Sequence, residues 1–311
     1  MKNQTPIQNK KVAGPTTKGL RPVEGIFRGS PFYWVGNGFH VSNYFPSGNP
    51  FGERMSPFYL LDYHAPKNYE PTDDLRRGVG AHPHRGMETV SIAYEGAIAH
   101  HDSRDNSGII RAGDVQWMTA GSGLLHREYH EASFAKAGGV MHMLQIWVNL
   151  PRRHKMAAPR YQDIPNEKIA NVQLPDGGGT VRVIAGTYRT AKGPADTFSA
   201  VTMLDVRLNP KGRARLSLAE NHNTAILVTS GQIRVNGSEL AQAGDFVLFA
   251  NRRGEDIDVE ATLGAASGVV LSGEPINEPM FGYGPFLMNT KEEIVEAYQD
   301  FQDGKFGALA D

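Results

Sequence analysis

The amino-acid sequence predicts an all-β protein made of two tandem β-barrels, with one short helix at the C-terminus. Short apolar runs recur along the chain, and turn residues drawn from its 35 glycines and 19 prolines are spread between them. A pattern of strands and turns in the first half returns in the second half. With 311 residues, the chain is long enough for two domains of ordinary size with buried cores.

The first barrel is predicted over residues 23–150, after a polar and flexible N-terminus over residues 1–22. A loop rich in proline and charge is expected over residues 65–79. Apolar runs between turn residues predict strands at residues 32–35, 39–44, 57–63, 89–94, 97–101, 115–119, 124–129 and 141–148.

A linker is predicted over residues 151–168, which are rich in proline and charge and show no two-residue period. The second barrel is predicted over residues 169–311. Its strands are expected at residues 181–185, 200–208, 225–229, 233–235, 246–250, 257–259 and 269–271.

The C-terminal helix is predicted over about residues 291–303. Thr290 and Glu293 have the spacing of a capping box, in which each side chain bonds to the other residue's backbone N–H group. Gly304 is expected to end the helix. Three apolar residues lie at i, i+4 and i+7 and form one stripe: Ile294, Tyr298 and Phe301.

An internal repeat supports the two-barrel organisation. Residues 88–96 and 113–118 are echoed by residues 223–231 and 244–249. Each copy contains a strand, a turn at glycine, a second strand, a Gly-Asp turn and a third strand. A repeat of this length indicates two similar barrels in tandem.

Two dyads in the first half of the chain predict a metal site. Residues i and i+2 of a strand point to the same side, so His82 and His84 share one face, as do His126 and Glu128. Three imidazoles and a carboxylate suit a divalent first-row metal such as iron, manganese, nickel or copper. A single His-x-His pair is more often an ordinary surface or core pair, whereas the two dyads together favour a metal. Glu88 also has the parity to be a ligand, an acceptor behind a ligand, or only a strand-start residue.

The second copy of the repeat lacks these dyads. Where the first copy has His-x-His, the second has Leu216 and Leu218, or Glu220 and His222 in another register. No His-x-Glu pair follows its Gly-Asp turn. The second barrel is therefore predicted to hold no metal, and His222 to be a surface residue.

Composition excludes several classes of function. The net charge of -1 leaves no basic excess, so direct binding to nucleic acid is not expected. The absence of cysteine excludes disulfides, iron–sulfur clusters, thiolate zinc sites and cysteine nucleophiles. The sequence shows no secretory signal and no run of 18 apolar residues, so we expect a cytoplasmic protein without a membrane span.

From roughly residue 20 to the C-terminus, the sequence resembles the pirin family of the cupin superfamily. The resemblance is carried by His82-Pro-His84-Arg-Gly-x-Glu-Thr-Val, Arg111-Ala-Gly-Asp-Val-Gln-Trp-Met-Thr-Ala-Gly-Ser-Gly123, His126-x-Glu128, Gln145-Ile-Trp-Val-Asn-Leu-Pro151, Gly273-Glu-Pro-Ile-Asn-Glu-Pro279 and Tyr283-Gly-Pro-Phe-x-Met-Asn-Thr290. It implies a bicupin, with two jelly-roll-like barrels and one metal in the N-terminal barrel. It also implies that His82, His84, His126 and Glu128 are the ligands, with Glu88 outside the set.

The resemblance implies two alternative functions, because members of the family differ in role. Some are quercetin 2,3-dioxygenases, which suggests cleavage of a flavonol with O2. Others act as transcriptional cofactors or bind metabolic enzymes, which suggests a metal-containing binding module with a regulatory protein partner. The cofactor implied is one divalent metal per chain, with Fe(II) favoured over Mn, Ni, Cu or Zn. Six-coordinate iron held by four protein groups would keep about two positions for substrate or dioxygen.

Further residues are candidates for the pocket. Glu128 is the candidate catalytic base. Gln145 is either a pocket residue or a polar residue at a strand edge. Of the dipeptide His100–His101, one ring, assigned to His101, is expected to turn toward the pocket unless both lie on the surface. The apolar candidates, each of which is otherwise an ordinary core residue, are Trp117, Met118, Met143 and Trp147.

Overall fold

The structure is a computed structural model that describes residues 19–49, 51–251 and 253–309. Residues 1–18 of the predicted flexible N-terminus lie outside this part of the chain. The rest of that segment is built into the second barrel, which corrects the prediction. Leu20 forms a bridge with Asp256, and the buried Arg21 donates a hydrogen bond to the Thr224 hydroxyl at 2.6 Å. A guanidinium group is buried only where its N–H groups find acceptors, as these do.

The part of the described chain before residue 169 forms twelve strands and one α-helix. Helix α1 is Ala132–Ala137. The strands are β1 (Val23–Phe27), β2 (Tyr33–Val35), β3 (Phe39–Phe45), β4 (Phe58–Tyr69), β5 (Gly78–His84), β6 (Met87–Glu95), β7 (Ala97–Asp102), β8 (Ser107–Arg111), β9 (Val115–Thr119), β10 (Leu124–His130), β11 (Gly139–Asn149) and β12 (Arg160–Ile164). Strands β1, β8 and β12 were not predicted, and β4 extends into the expected 65–79 loop.

The rest of the described chain forms the other strands and helix α2 (Lys291–Gln302). These strands are β13 (Ala170–Gln173), β14 (Gly179–Ala185), β15 (Thr187–Tyr188), β16 (Ala191–Lys192), β17 (Val201–Leu208), β18 (Arg213–Ser217), β19 (Asn223–Ser230), β20 (Gln232–Val235), β21 (Glu239–Gln242), β22 (Phe246–Phe249), β23 (Asp256–Ala261), β24 (Ala266–Gly273), β25 (Phe281–Tyr283) and β26 (Phe286–Met288). Short 3-10 helices lie at Gly52–Met55, Arg152–His154, Asn166–Lys168 and Pro175–Gly177.

Each barrel consists of a seven-stranded and a four-stranded sheet. The first barrel has the orders β12-β9-β6-β11-β4-β3-β2 and β5-β10-β7-β8, and the second has β1-β22-β19-β24-β17-β14-β13 and β18-β23-β20-β21. The two barrels therefore match strand for strand, as the internal repeat predicts. The all-β fold of two tandem barrels with a short C-terminal helix is confirmed.

Two edge strands cross the domain boundaries expected from the sequence. Strand β1, placed by prediction in the first barrel, pairs with β22 of the second barrel. Strand β12, in the predicted linker over residues 151–168, pairs with β9 of the first barrel. An edge strand is held by main-chain hydrogen bonds to a single neighbour, so its side chains need not alternate in polarity. This is why residues 151–168 gave no strand signal.

The two seven-stranded sheets pack against each other and form the largest core. Val90 and Ile92 of β6 belong to the same buried cluster as Leu227 of β19 and Leu271 of β24. Trp117, one of the predicted pocket residues, is fully buried in this cluster. One face of each large sheet thus contacts the other barrel, and the opposite face lines the barrel interior.

The interior of the second barrel is apolar at the place that corresponds to the histidines. Leu216 of β18 lies opposite Ile257 of β23, as His82 of β5 lies opposite His126 of β10. Leu216, Leu218 and Ile257 all belong to the core of the second barrel. Apolar side chains offer no metal ligands, which supports the prediction that this barrel holds no metal.

Helix α2 begins as predicted. The Glu293 N–H group donates to the Thr290 hydroxyl at 3.2 Å, and Thr290 N–H donates to the Glu293 carboxylate at 3.1 Å. The predicted apolar stripe is wrong at Phe301, which is 37% exposed, whereas Ala297 is buried. Among the described residues, no helix is long and apolar enough to cross a membrane.

Candidate metal centre

Strands β5 and β10 bring three histidines together inside the first barrel. His82 lies directly opposite His126, and His84 lies opposite Leu124. Residues opposite each other in a sheet share a face, so the three imidazoles point to one place. Their ligand atoms lie within 4.8 Å of one another. The structure thus brings the three predicted histidines together at one place.

The hydrogen bonds of these rings leave nitrogen lone pairs for a metal. His82 Nδ1 lies 2.8 Å from the Gly80 carbonyl oxygen, and His84 Nδ1 lies 3.2 Å from the Pro285 carbonyl oxygen. A carbonyl only accepts, so Nδ1 carries the hydrogen in both rings and Nε2 is free to bind a metal. Both nitrogens of the buried His126 lack a hydrogen-bond partner. An unpaired buried imidazole is costly, and a metal ligand role would satisfy it.

Burial keeps these imidazoles in the form that binds metals. It lowers the pKa of His84 to about 3 and lowers the pKa of His126 well below its usual value. The pKa of His82 is lowered by the same cause. Neutral imidazole is the ligand form of histidine, so the group is ready for a metal at neutral pH.

Glu128 is close to this group but lies outside the three-histidine cluster. It follows His126 by two residues on β10, and the pairing with β5 is irregular between them. The Ser91 hydroxyl donates to its carboxylate at 3.4 Å, and burial raises the pKa of Glu128 to about 7. Its carboxylate is not among the ligand atoms that lie within 4.8 Å of one another in this group. Its role as the fourth ligand and as catalytic base stays a prediction.

Glu88 lies in β6, in a different sheet from the histidines, so of the three roles left open by parity the structure favours the residue at the start of a strand. The chain turns at Gly86, which has φ +82°, and enters a different sheet, so strand parity is not carried from β5 to β6. Glu88 shares the face of Val90, which packs against the second barrel. Its carboxylate accepts from the Thr119 hydroxyl at 2.8 Å, and burial raises its pKa to about 7.

Of the dipeptide His100–His101, the structure turns His100 inward, and not His101. His100 lies opposite Glu128, whereas His101 lies opposite Arg127. Cross-strand partners share a face, so His101 points away from the barrel interior. The His101 ring lies 5.6 Å from the Tyr129 ring, and the His100 ring stacks on Tyr161 at 5.0 Å. As predicted, one ring of the dipeptide points inward and the other outward, but the inward ring is His100 and not His101.

A cavity of about 50 Å³ adjoins Glu128 in the barrel interior. Met143 and Gln145 line it, and Gln145 accepts from the Ser91 hydroxyl at 2.6 Å. The other lining residues are Val35, Phe39, Val41, Asp62, His64 and Val79.

Two further predicted residues lie near the histidines. The Trp147 ring centroid is 5.0 Å from that of His84, and Trp147 also stacks on Tyr59 at 6.2 Å. Met118 packs with Leu124, the residue opposite His84. An aromatic side chain, Trp147, thus lies against the His84 ring.

Asp62 is a site residue that the sequence reasoning missed. It lines the cavity, and its carboxylate accepts from the Asn43 amide at 2.7 Å and from the Tyr33 hydroxyl at 3.3 Å. The sequence does contain a signal for this residue, because Asp62 and His64 alternate with the core residues Leu61 and Tyr63. Polar residues at alternate positions of an otherwise apolar strand indicate a polar interior.

Comparisons with known proteins cover both barrels. The family model described as Pirin matches residues 38–148, and the model described as Pirin C-terminal cupin domain matches residues 203–307. A Pseudomonas aeruginosa protein provisionally named a quercetin 2,3-dioxygenase is 45% identical over 92% of this chain and 99% of its own length. A pirin-like protein of Caulobacter vibrioides is 36% identical over 92% of this chain and 99% of its own length. The solved structure of a quercetin 2,3-dioxygenase from Acinetobacter baumannii has a TM-score of 0.89 and 44% identity, covering 94% of this chain and 100% of that chain.

Proposed function

The chain belongs to the pirin family, and from that premise we propose that it is a metal-dependent dioxygenase that cleaves flavonols such as quercetin. The observation that carries the proposal is the convergence of three imidazoles, whose ligand atoms lie within 4.8 Å of one another, on strands that also carry the buried carboxylate of Glu128. A structural metal site is normally closed by protein ligands, whereas a catalytic site keeps open positions. The named relatives support the choice of a flavonol and O2 as substrates.

The proposed metal is a single divalent ion per chain, most simply Fe(II), with Mn, Ni, Cu or Zn as alternatives. His82, His84 and His126 would hold it through ring nitrogens, and Glu128 through its carboxylate. When bound, such an ion supplies Lewis-acid chemistry that lowers the pKa of a coordinated hydroxyl group.

The protein side chains have separate roles in this proposal. Glu128, two residues after His126 on β10, receives the proton of the flavonol 3-hydroxyl at its carboxylate. The Ser91 hydroxyl lies 2.6 Å from the Gln145 side-chain oxygen and 3.4 Å from the Glu128 carboxylate, and its single hydrogen can serve only one of these two acceptors at a time. Trp147 and Tyr59 present stacked rings beside His84, a wall suited to a planar aromatic substrate.

We expect Glu128→Gln to weaken metal binding more than Glu88→Gln does. The two residues are well matched, because both are buried and burial raises the pKa of each to about 7. Glu128 shares strand β10 with His126 and lines the barrel interior, whereas Glu88 lies in another sheet and accepts a hydrogen bond from Thr119. Competition titrations with a coloured chelator would measure the dissociation constant for Co(II). A larger loss in Glu88→Gln would remove Glu128 from the ligand set.

The activity itself is tested by oxygen uptake. Iron-loaded protein with quercetin is expected to consume dioxygen and release carbon monoxide and a depside. One carbon leaves in carbon monoxide and both atoms of dioxygen are incorporated, so no reductant is consumed. An oxygen electrode, carbon monoxide detection and mass spectrometry of the product would follow the reaction, and His84→Ala should show none of it.

A negative outcome would favour the other role implied by the family. If metal-loaded protein gives no uptake above free iron across a panel of flavonols and other enolisable phenols, the dioxygenase proposal fails. Tight metal binding without oxygen use would then support a binding module with a regulatory protein partner. The cytoplasmic location and the lack of direct nucleic-acid binding stay predictions.

A further inference from the structure

The end of β5 that carries His82 and His84 is held by residues that lie about two hundred positions later in the chain. The Pro285 carbonyl accepts from His84 Nδ1 at 3.2 Å, across a separation of 201 residues. Next to it, Arg85 and Phe286 form a bridge, and Leu287 N–H donates to the Arg85 carbonyl at 3.1 Å. The C-terminal hairpin β25–β26 thus lies directly against His84.

A buried lysine connects this hairpin to the strand of the histidines. Lys155 is 2% exposed, and its Nζ lies 2.8 Å from the Gly86 carbonyl oxygen, 2.6 Å from the Leu287 carbonyl oxygen and 2.5 Å from the Asn149 side-chain oxygen. An ammonium group has three donors, and here each has an acceptor from a different chain segment. A buried apolar side chain would avoid the desolvation of a charge but could not join three segments.

Arg85 makes a second connection on the other side of His84. Its Nε–H donates to the Ser122 carbonyl at 2.8 Å, in the loop that leads into β10. Its Nη2 donates to Asp300 of α2 at 2.8 Å, and its guanidinium lies 4.7 Å from the Phe306 ring. Arg85 therefore joins the end of β5, the approach to the His126 strand and the C-terminal helix.

We propose that residues 281–306, together with Lys155 and Arg85, form a brace that positions His84 against His126 and thereby sets the metal affinity of the site. Lys155 and Arg85 are positioning residues in this inference, which rests on the metal site of the proposed function. The Pro285 carbonyl fixes the tautomer and orientation of the His84 ring. Loss of such a partner behind a metal ligand typically lowers metal affinity about 10–100-fold.

The test compares Lys155→Met with Arg152→Ala as a matched control. Arg152 also connects the segment after β11 to α2, through Glu293 at 3.2 Å, but this ion pair is on the surface. We expect Lys155→Met to bind Co(II) about 10–100-fold more weakly than wild type and to change the visible spectrum of the bound Co(II). Arg152→Ala should change neither.

A second variant keeps the brace testable if Lys155→Met does not fold. Asp300→Asn weakens the Arg85 connection from the partly exposed side of the pair, and we expect the same spectral change with a smaller loss of affinity. Wild-type affinity and spectrum in both variants would overturn the brace, even if their thermal stability fell. A wild-type protein that binds no Co(II) would instead overturn the metal site, and the brace with it.

Discussion

Replacement of His126 by alanine is expected to abolish stoichiometric metal binding and all metal-dependent oxygen uptake. His126 is one of the three converging histidines, and neither of its nitrogens has a hydrogen-bond partner. In small zinc domains, four ligands together give about 10–16 kcal/mol of binding free energy. One ligand is thus worth about 3 kcal/mol or more, and its loss costs at least about a hundredfold in affinity.

His101→Ala is the matched control for this prediction, since His101 is on the neighbouring strand but faces outward. Metal analysis by mass spectrometry should find one equivalent per chain in the wild type and in His101→Ala, and almost none in His126→Ala. Circular dichroism should show the same β-sheet content in all three. Full metal content in His126→Ala, or two tightly held equivalents in the wild type, would contradict the site described above.

Arg182→Ala is expected to lower the free energy of unfolding, because it would leave the buried Asp205 carboxylate with only the half-exposed Arg207 as an ionic partner. Arg182 and Asp205 are joined at 2.7 Å, with side chains 3% and 0% exposed. Arg182 also donates to the Asn166 side chain at 2.8 Å and to the Gly113 carbonyl, both beside the first barrel. Removing one partner of a buried ion pair typically costs about 3–5 kcal/mol. Urea unfolding would measure the loss.

The control for this experiment is Arg215→Ala. Arg215 pairs with Asp258 at the same 2.7 Å, but on an exposed face of the second barrel. Solvent-exposed ion pairs contribute little, so this variant should unfold close to the wild type. Equal losses in the two variants would show that burial does not set the strength of these pairs.

The sequence predicted what depends on local pattern. Alternating side chains and turn residues gave most strands of both barrels, and the repeat gave their common topology. The His-x-His and His-x-Glu dyads gave the three converging histidines, because parity within one strand is a local property. The capping box at Thr290 was predicted for the same reason.

What the sequence could not predict depends on pairing between distant segments. Parity cannot be carried across the turn at Gly86, so the sequence left the role of Glu88 open between a ligand, an acceptor behind a ligand and a strand-start residue. The register of β7 against β10 determines which of His100 and His101 points inward, because it pairs His100 with Glu128. The contacts of Lys155 and Pro285 with the β5 end join segments far apart in the chain, and no local pattern indicates them.

Because β1 pairs with β22, dividing the chain at one point between the barrels cannot give two fragments that each contain a whole barrel. Val23 lies opposite Phe249, so during synthesis β1 waits for its partner until the second barrel is almost complete. A fragment that began at residue 169 would leave one side of β22 without a neighbour. Open strand edges recruit other strands, so this fragment would tend to aggregate when expressed alone.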